Sequence, residues 1–329
     1  AAEWWSRAED ELGAPLAGWP GPAMAEALTA AGAGADRGVV DRRGGATVAA
    51  VAELASSGES VLALCADAAR RRHLVERAAD PARFGFPPAA LACQRCAETA
   101  AADALEDAGG GSRNRAAGGA QNGPAWGSEN GPARGSQNGP ACGGLALADW
   151  AVLARVPELI RGFDHVVLIE PPPFDHLLRL ARAAAGPTET GVAPLHPGFL
   201  HLAWGGAEEA LALRQLEHEW ELRPHTGELY RALAASGELA GEELRAALGG
   251  RGRYPRSPEL AARALRVLVE VGLCEWRPDA AGGTLRVVSS EDTDLQRSEA
   301  YRAYRARHEE GRSFLEKQRQ SKNSVPEAA

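Results

Sequence analysis

The sequence predicts an α/β protein: a Rossmann-like parallel-sheet lobe with a disordered insertion, followed by an α-rich, winged-helix-like C-terminal unit. Three observations predict this. Apolar runs alternate with helix-periodic segments over residues 44–206, the pattern of a parallel sheet with crossover helices. A Gly-, Pro-, Asn- and Ser-rich stretch at 108–144 interrupts that alternation. From Ala207 onward the chain reads as successive helices, then a short strand, a Gly turn, a second strand and a charged helix.

Residues 1–37 are Ala-, Gly- and Pro-rich and read as a linker or the remnant of a preceding domain, with Trp4 and Trp5 as part of a strand whose partners are missing. The lobe spans residues 38–206, with regular structure expected from Gly44. TVAAVAELASSG has helical spacing and a Gly stop, and ESVLALCAD suits a buried parallel strand. AARRRHLVERAA reads as a helix and ALACQRCA as a second short strand. GFDHVVLIEPPP is a buried strand stopped by three prolines, FDHLLRLARAAAG the next helix, and GFLHLAWGG another strand. The insertion holds QNGPAWGS, ENGPARGS and QNGPACGG, an eight-residue repeat too polar and Gly-rich to offset its own ordering entropy.

The C-terminal unit spans residues 207–319, with 320–329 as a frayed tail. AEEALALRQLEHEWEL forms one helix, broken by Pro224, which opens HTGELYRALAASG as the next. GEELRAALGG is a third, ending in a Gly pair. SPELAARALRVLVEVGLCEW, GGTLRVV and TDLQRSEAYRAYRARHEEGRSFL complete the unit, the last helix running from about Asp294 to Lys317.

The formal charge of −8 is unevenly spread. Residues 223–319 carry 17 basic and 15 acidic side chains, leaving about −10 for residues 1–222. An acidic first part is a poor general binder of phosphate backbones. Two lysines beside 34 arginines suggest a GC-rich genome. Five scattered cysteines suit a reducing cytoplasm, and no apolar run is long enough for a membrane span. The acidic start lacks the features of a signal peptide, and the absence of an initiator Met is read as the tail of a longer product.

No catalytic motif stands out. The strand–helix turn CADAARRR lacks the glycines and the lysine that wrap and neutralise a phosphate. Glu170 faintly echoes the acidic residue of a nucleotide hydrolase, but a polar residue at a strand end is the plainer reading. Cys93 and Cys96 form one C-x-x-C with no second pair to complete a zinc site. Asp164–His165 are strand neighbours pointing to opposite faces, and Asp175 is a natural helix-start residue beside His176. The candidate contact residues are therefore basic: Arg251, Arg253 and Arg256 around Tyr254, and Arg297, Arg302 and Arg305 on the last helix, where Tyr301, Tyr304 and Phe314 are interleaved. The last helix reads equally as a solvated face with Glu299, Glu309, Glu310 and Glu316 as partners.

Three segments carry a family resemblance. LYRALAASG, the helix–strand step with Leu268 to Leu273, and the TDLxxSxxYR start made by Thr293, Asp294, Leu295, Ser298, Tyr301 and Arg302 resemble the C-terminal region of RecJ-type single-stranded-DNA-specific exonucleases. ESVLALCAD, FDHVVLIEPPP and GFLHLAWG are similar to the helicase-like lobe of that region, so the resemblance covers roughly residues 38–315. It implies a role in DNA repair and recombination, with single-stranded DNA, the tail of single-stranded-DNA-binding protein and a DHH nuclease core, in cis or trans, as partners. The core's Mn²⁺ or Mg²⁺ ligands are absent: Asp164-His165-Val166 and Asp175-His176-Leu177 both fail as a DHH triplet. No catalytic residue carries over, and this chain is expected to hold no cofactor of its own. The resemblance makes residues 1–37 a linker leaving an OB-fold. The alternative expectation is a stand-alone winged-helix module that binds nucleic acid or docks a protein.

Overall fold

The computed structural model describes residues 2–32, 35–56, 60–78, 145–184, 197–250, 255–278 and 283–323. The first helices are α1 (Ala2–Gly13) and α2 (Pro22–Gly32). Then come β1 (Gly38–Asp41), α3 (Thr47–Ser56), β2 (Val61–Cys65), α4 (Ala68–Ala78) and β3 (Leu145–Asp149). α5 (Trp150–Arg155), a 3-10 turn at Pro157–Gly162, β4 (His165–Leu168), α6 (Asp175–Arg182) and β5 (Phe199–Leu202) follow. The remainder is α7 (Gly206–Trp220), α8 (Leu222–Ser236), β6 (Glu238–Ala240), α9 (Gly241–Gly249), α10 (Pro258–Glu270), β7 (Cys274–Arg277), β8 (Thr284–Val287), a 3-10 turn at Leu295–Arg297 and α11 (Glu299–Asn323). The chain divides into two compact units, one of residues 27–171 and 177–208, the other of 1–26, 172–176 and 209–329.

The first unit is a five-stranded, all-parallel sheet in the order β1-β5-β4-β2-β3. Every residue of β2 and β3 is buried, as expected of strands covered on both faces. Ala50, Val51, Leu54 and Ala55 of α3 pack on Val61, Ala63 and Cys65, on Leu145 and Leu147, and on Val167 and Ile169. The connection from β2 leads through α4 to β3 on one side, and that from β4 leads through α6 to β5 on the other. The carboxyl ends of β2 and β4 therefore form the switch point of the sheet, where open parallel sheets hold their ligands.

The second unit contains a three-stranded antiparallel sheet in the order β6-β8-β7. α8, α9 and α10 bury Leu229, Leu233, Leu244, Leu248, Leu265 and Leu268 against Leu285 of its central strand. The β7–β8 hairpin requires Gly283: its φ is +90°, and a Cβ there would lie 2.5 Å from the Trp276 ring. Ser257 caps α10, accepting the Leu260 amide at 3.0 Å, with Pro258 at the first helical position.

Several expectations need correction. Residues 2–13 and 22–32 form helices rather than a loose linker, and the tryptophan pair lies on a helix, not a strand. Trp5 and Ala8, one turn apart on α1, are buried in the core of the second unit, and Trp5 stacks on Trp276 with centroids 6.0 Å apart. Arg37 is also buried, donating to the carbonyls of Ala183 (2.8 Å), Asp164 (3.0 Å) and Ile160 (2.8 Å). Burial outweighs the nearby Asp164 carboxylate and lowers the Arg37 pKa to about 10. Regular structure precedes Gly44, with α1, α2 and β1 all before it, and β3 is a strand the sequence reading passed over. α8 starts at Leu222, so Pro224 sits inside its first turn, and α11 extends to Asn323 into the stretch expected to fray. ALACQRCA, the 108–144 repeats and residues 324–329 lie outside the described residues.

Candidate functional site

Three adjacent strands end in groups capable of chemistry. Cys65 closes β2, Asp149 closes β3 directly opposite it in register, and Glu170 lies two residues beyond β4. All three are buried, Glu170 completely. The first turns of α4 bring Arg70 and Arg71 to the same edge. Glu170 Oε2 accepts the Ala66 amide at 2.9 Å, and its Oε1 accepts Arg70 Nε at 2.7 Å. Asp67 Oδ1 accepts the Arg70 amide at 2.6 Å, capping α4. Asp149 Oδ1 accepts the Val152 amide at 2.9 Å, capping α5, and its Oδ2 lies 3.6 Å from Arg71 Nη1.

These contacts close the switch point. Backbone N–H groups at a β–α turn and a helix N-terminus normally offer themselves to a phosphate. Here Ala66 and Arg70 direct theirs at Glu170 and Asp67. Burial raises the Glu170 pKa above the usual carboxylate value, against the opposing pull of Arg70 and the Ala66 amide. Burial, then Asp149 and Glu170, push the Cys65 thiol well up, which makes it a poor nucleophile. Its Sγ lies 3.3 Å from the Ala148 carbonyl oxygen. Among the described residues, no group of three or more His, Cys, Asp or Glu side chains is placed to hold a metal.

The histidines noted in the sequence have structural partners. Asp164 exchanges hydrogen bonds with Ser60: its Oδ2 accepts from Ser60 Oγ at 2.7 Å, and its amide donates to the same oxygen at 2.9 Å. His165 instead meets His201 of β5, with Nδ1 and Nε2 2.9 Å apart, and stacks on Phe199. Burial, followed by the neighbouring His165, lowers the His201 pKa to about 4. Asp175 opens α6, and His176 packs edge-on against Trp19. Cys93 and Cys96 lie outside the described residues.

The described members of the predicted arginine set do not form one contact surface. Arg251 and Arg253 lie outside the described residues. Arg256 is turned inward: Nε donates to Leu248 O at 2.7 Å, Nη2 to Ala247 O at 2.9 Å, and Nη1 meets Glu228 at 3.2 Å. It ties the end of α9 to α8 and is no surface contact. Arg297 and Arg302 are exposed; Arg302 donates to the Gln296 carbonyl. Arg305 pairs with Glu309 at 2.9 Å along exposed α11, as does Arg312 with Glu316 at 3.1 Å. Tyr304 is buried, and Tyr301 is only partly exposed. This is the solvated face with i,i+4 partners.

The TDLxxSxxYR wording also has a local explanation. Asp294 caps the 3-10 turn by accepting the Gln296 amide at 2.9 Å. Ser298 accepts the Tyr301 amide at 2.9 Å and donates to Glu270 at 2.7 Å. Glu270 also accepts the Ala300 amide at 2.9 Å, and these hydrogen bonds hold its carboxyl below the usual range despite burial. The motif fixes how α11 begins against α10.

α10 itself is covered. Arg7 of α1 forms a two-pronged pair with Glu259, both contacts 2.8 Å. Arg263, stacked 3.9 Å above the Trp220 ring centroid, is held by Glu11 and by the Glu219 carbonyl. Nothing in the sequence reading marked these arginines, because type alone does not separate a buried arginine from a surface one. Comparison with protein-family models, with curated proteins and with solved structures gave no match.

Proposed function

We propose that this chain is the non-catalytic C-terminal portion of a RecJ-like single-stranded-DNA exonuclease, serving DNA repair or recombination in the cytoplasm. Its role is to position a DHH nuclease core, in cis or trans, on single-stranded DNA or on the tail of single-stranded-DNA-binding protein. The observation that carries the non-catalytic part is the closure of the switch point by Glu170 on the Ala66 amide and Arg70. A helicase-like lobe with its anion donors already occupied keeps the framework of a nucleotide enzyme without an open phosphate cradle.

The winged-helix-like reading of the 207–319 unit is supported, within residues 222–287, by the element order helix–strand–helix–helix–strand–strand and by the strand order β6-β8-β7. In that arrangement α10 holds the place of a groove-reading helix. Its residues Leu260–Leu265 are all buried, which favours docking over base reading and disfavours a stand-alone DNA-reading module. Titration calorimetry of the full chain with a separately produced DHH core tests the proposal. Saturable binding at micromolar concentration is expected, and no heat of binding at that concentration would overturn it.

A further inference from the structure

We draw no further inference here: the strongest candidate, the open groove between α8, β6 and α9 bordered by Glu228, Glu242 and Glu243, carries nothing because Glu228 and Glu242 already pair with Arg256 and Arg245 and nothing in the structure shows what covers it.

Discussion

Glu170 Oε2 accepts the amide of Ala66 at 2.9 Å, across the point where the β2 and β4 connections diverge. The carboxylate of one strand end thus occupies the backbone donor of its neighbour. Arg70, on the first turn of α4, completes the closure from the same side.

This arrangement separates two substitutions. Glu170→Gln keeps an acceptor for Ala66 and removes a charge whose burial is unfavourable, as its raised pKa shows. It is expected to change stability by less than about 1 kcal/mol at pH 7. Glu170→Ala leaves a buried amide without its partner and opens a cavity, and is expected to cost about 2–4 kcal/mol. Urea unfolding of the two variants measures the difference. Neither is expected to gain a thermal shift with ATP, because Asp67 still caps α4.

The His165–His201 pair predicts acid sensitivity of the parallel sheet. Only one proton fits between nitrogens 2.9 Å apart, and Arg42 adds to the repulsion while Glu53 opposes it. The His201 pKa, about 4, lies below its unfolded value near 6.5, so the unfolded chain takes up a proton first. Its contribution is fully present above pH 6.5 and declines as pH falls towards 4, by about 3 kcal/mol at most. Denaturant midpoints across that window should fall more steeply for the native chain than for His201→Gln.

Gly311 reverses the usual effect of a helix glycine. Replacing a mid-helix Gly by Ala normally stabilises by about 0.5–1 kcal/mol. A Cβ at Gly311 would stand 2.7 Å from Phe174 Cε1, 2.8 Å from Leu216 Cδ1 and 3.0 Å from the Pro173 carbonyl oxygen. Gly311→Ala is therefore expected to lower stability, by about 1–3 kcal/mol from overpacking. Thermal unfolding monitored by circular dichroism gives the sign.

Arg256 and Arg305 were both candidate contacts in the sequence and have opposite fates. Arg256→Ala strips two carbonyls and Glu228 of a buried partner and is expected to cost about 2–4 kcal/mol. Arg305→Ala removes one exposed pair with Glu309 and is expected to stay within about 0.5 kcal/mol. Loss of nucleic-acid or peptide binding in an Arg256 variant would therefore be read against its unfolding curve.

The parts of the fold legible in the sequence are those written in periodicity. β2 is an uninterrupted apolar run, β4 and β5 are apolar runs that each carry one histidine, and α10 has an apolar face that follows a capping Ser257 and Pro258. α1 was hidden because its composition is that of a loose arm; the signal that reveals it is Trp5, Ala8 and Leu12 at helical spacing. β3 was hidden by the repeat-bearing stretch before it. The site was less legible than the fold. Glu170 read as an ordinary strand-end residue, and only strand order shows that it faces the neighbouring turn. The TDLxxSxxYR wording read as a family marker, and the hydrogen bonds of Asp294, Ser298 and Glu270 show that it encodes a helix start. The role of Arg263 rests on Glu11, more than 250 residues away in sequence, a relationship no local pattern contains.

The proposed role of this chain is to assist a nuclease without cutting. The most direct measurement is release of nucleotides from a 5′-labelled single strand in Mn²⁺, by the chain alone, by a separately produced DHH core, and by both together. No release by the chain alone is expected, with faster or longer digestion by the core when the chain is added. Release that scales with the concentration of the purified chain, or a core whose digestion is indifferent to it, would overturn this role.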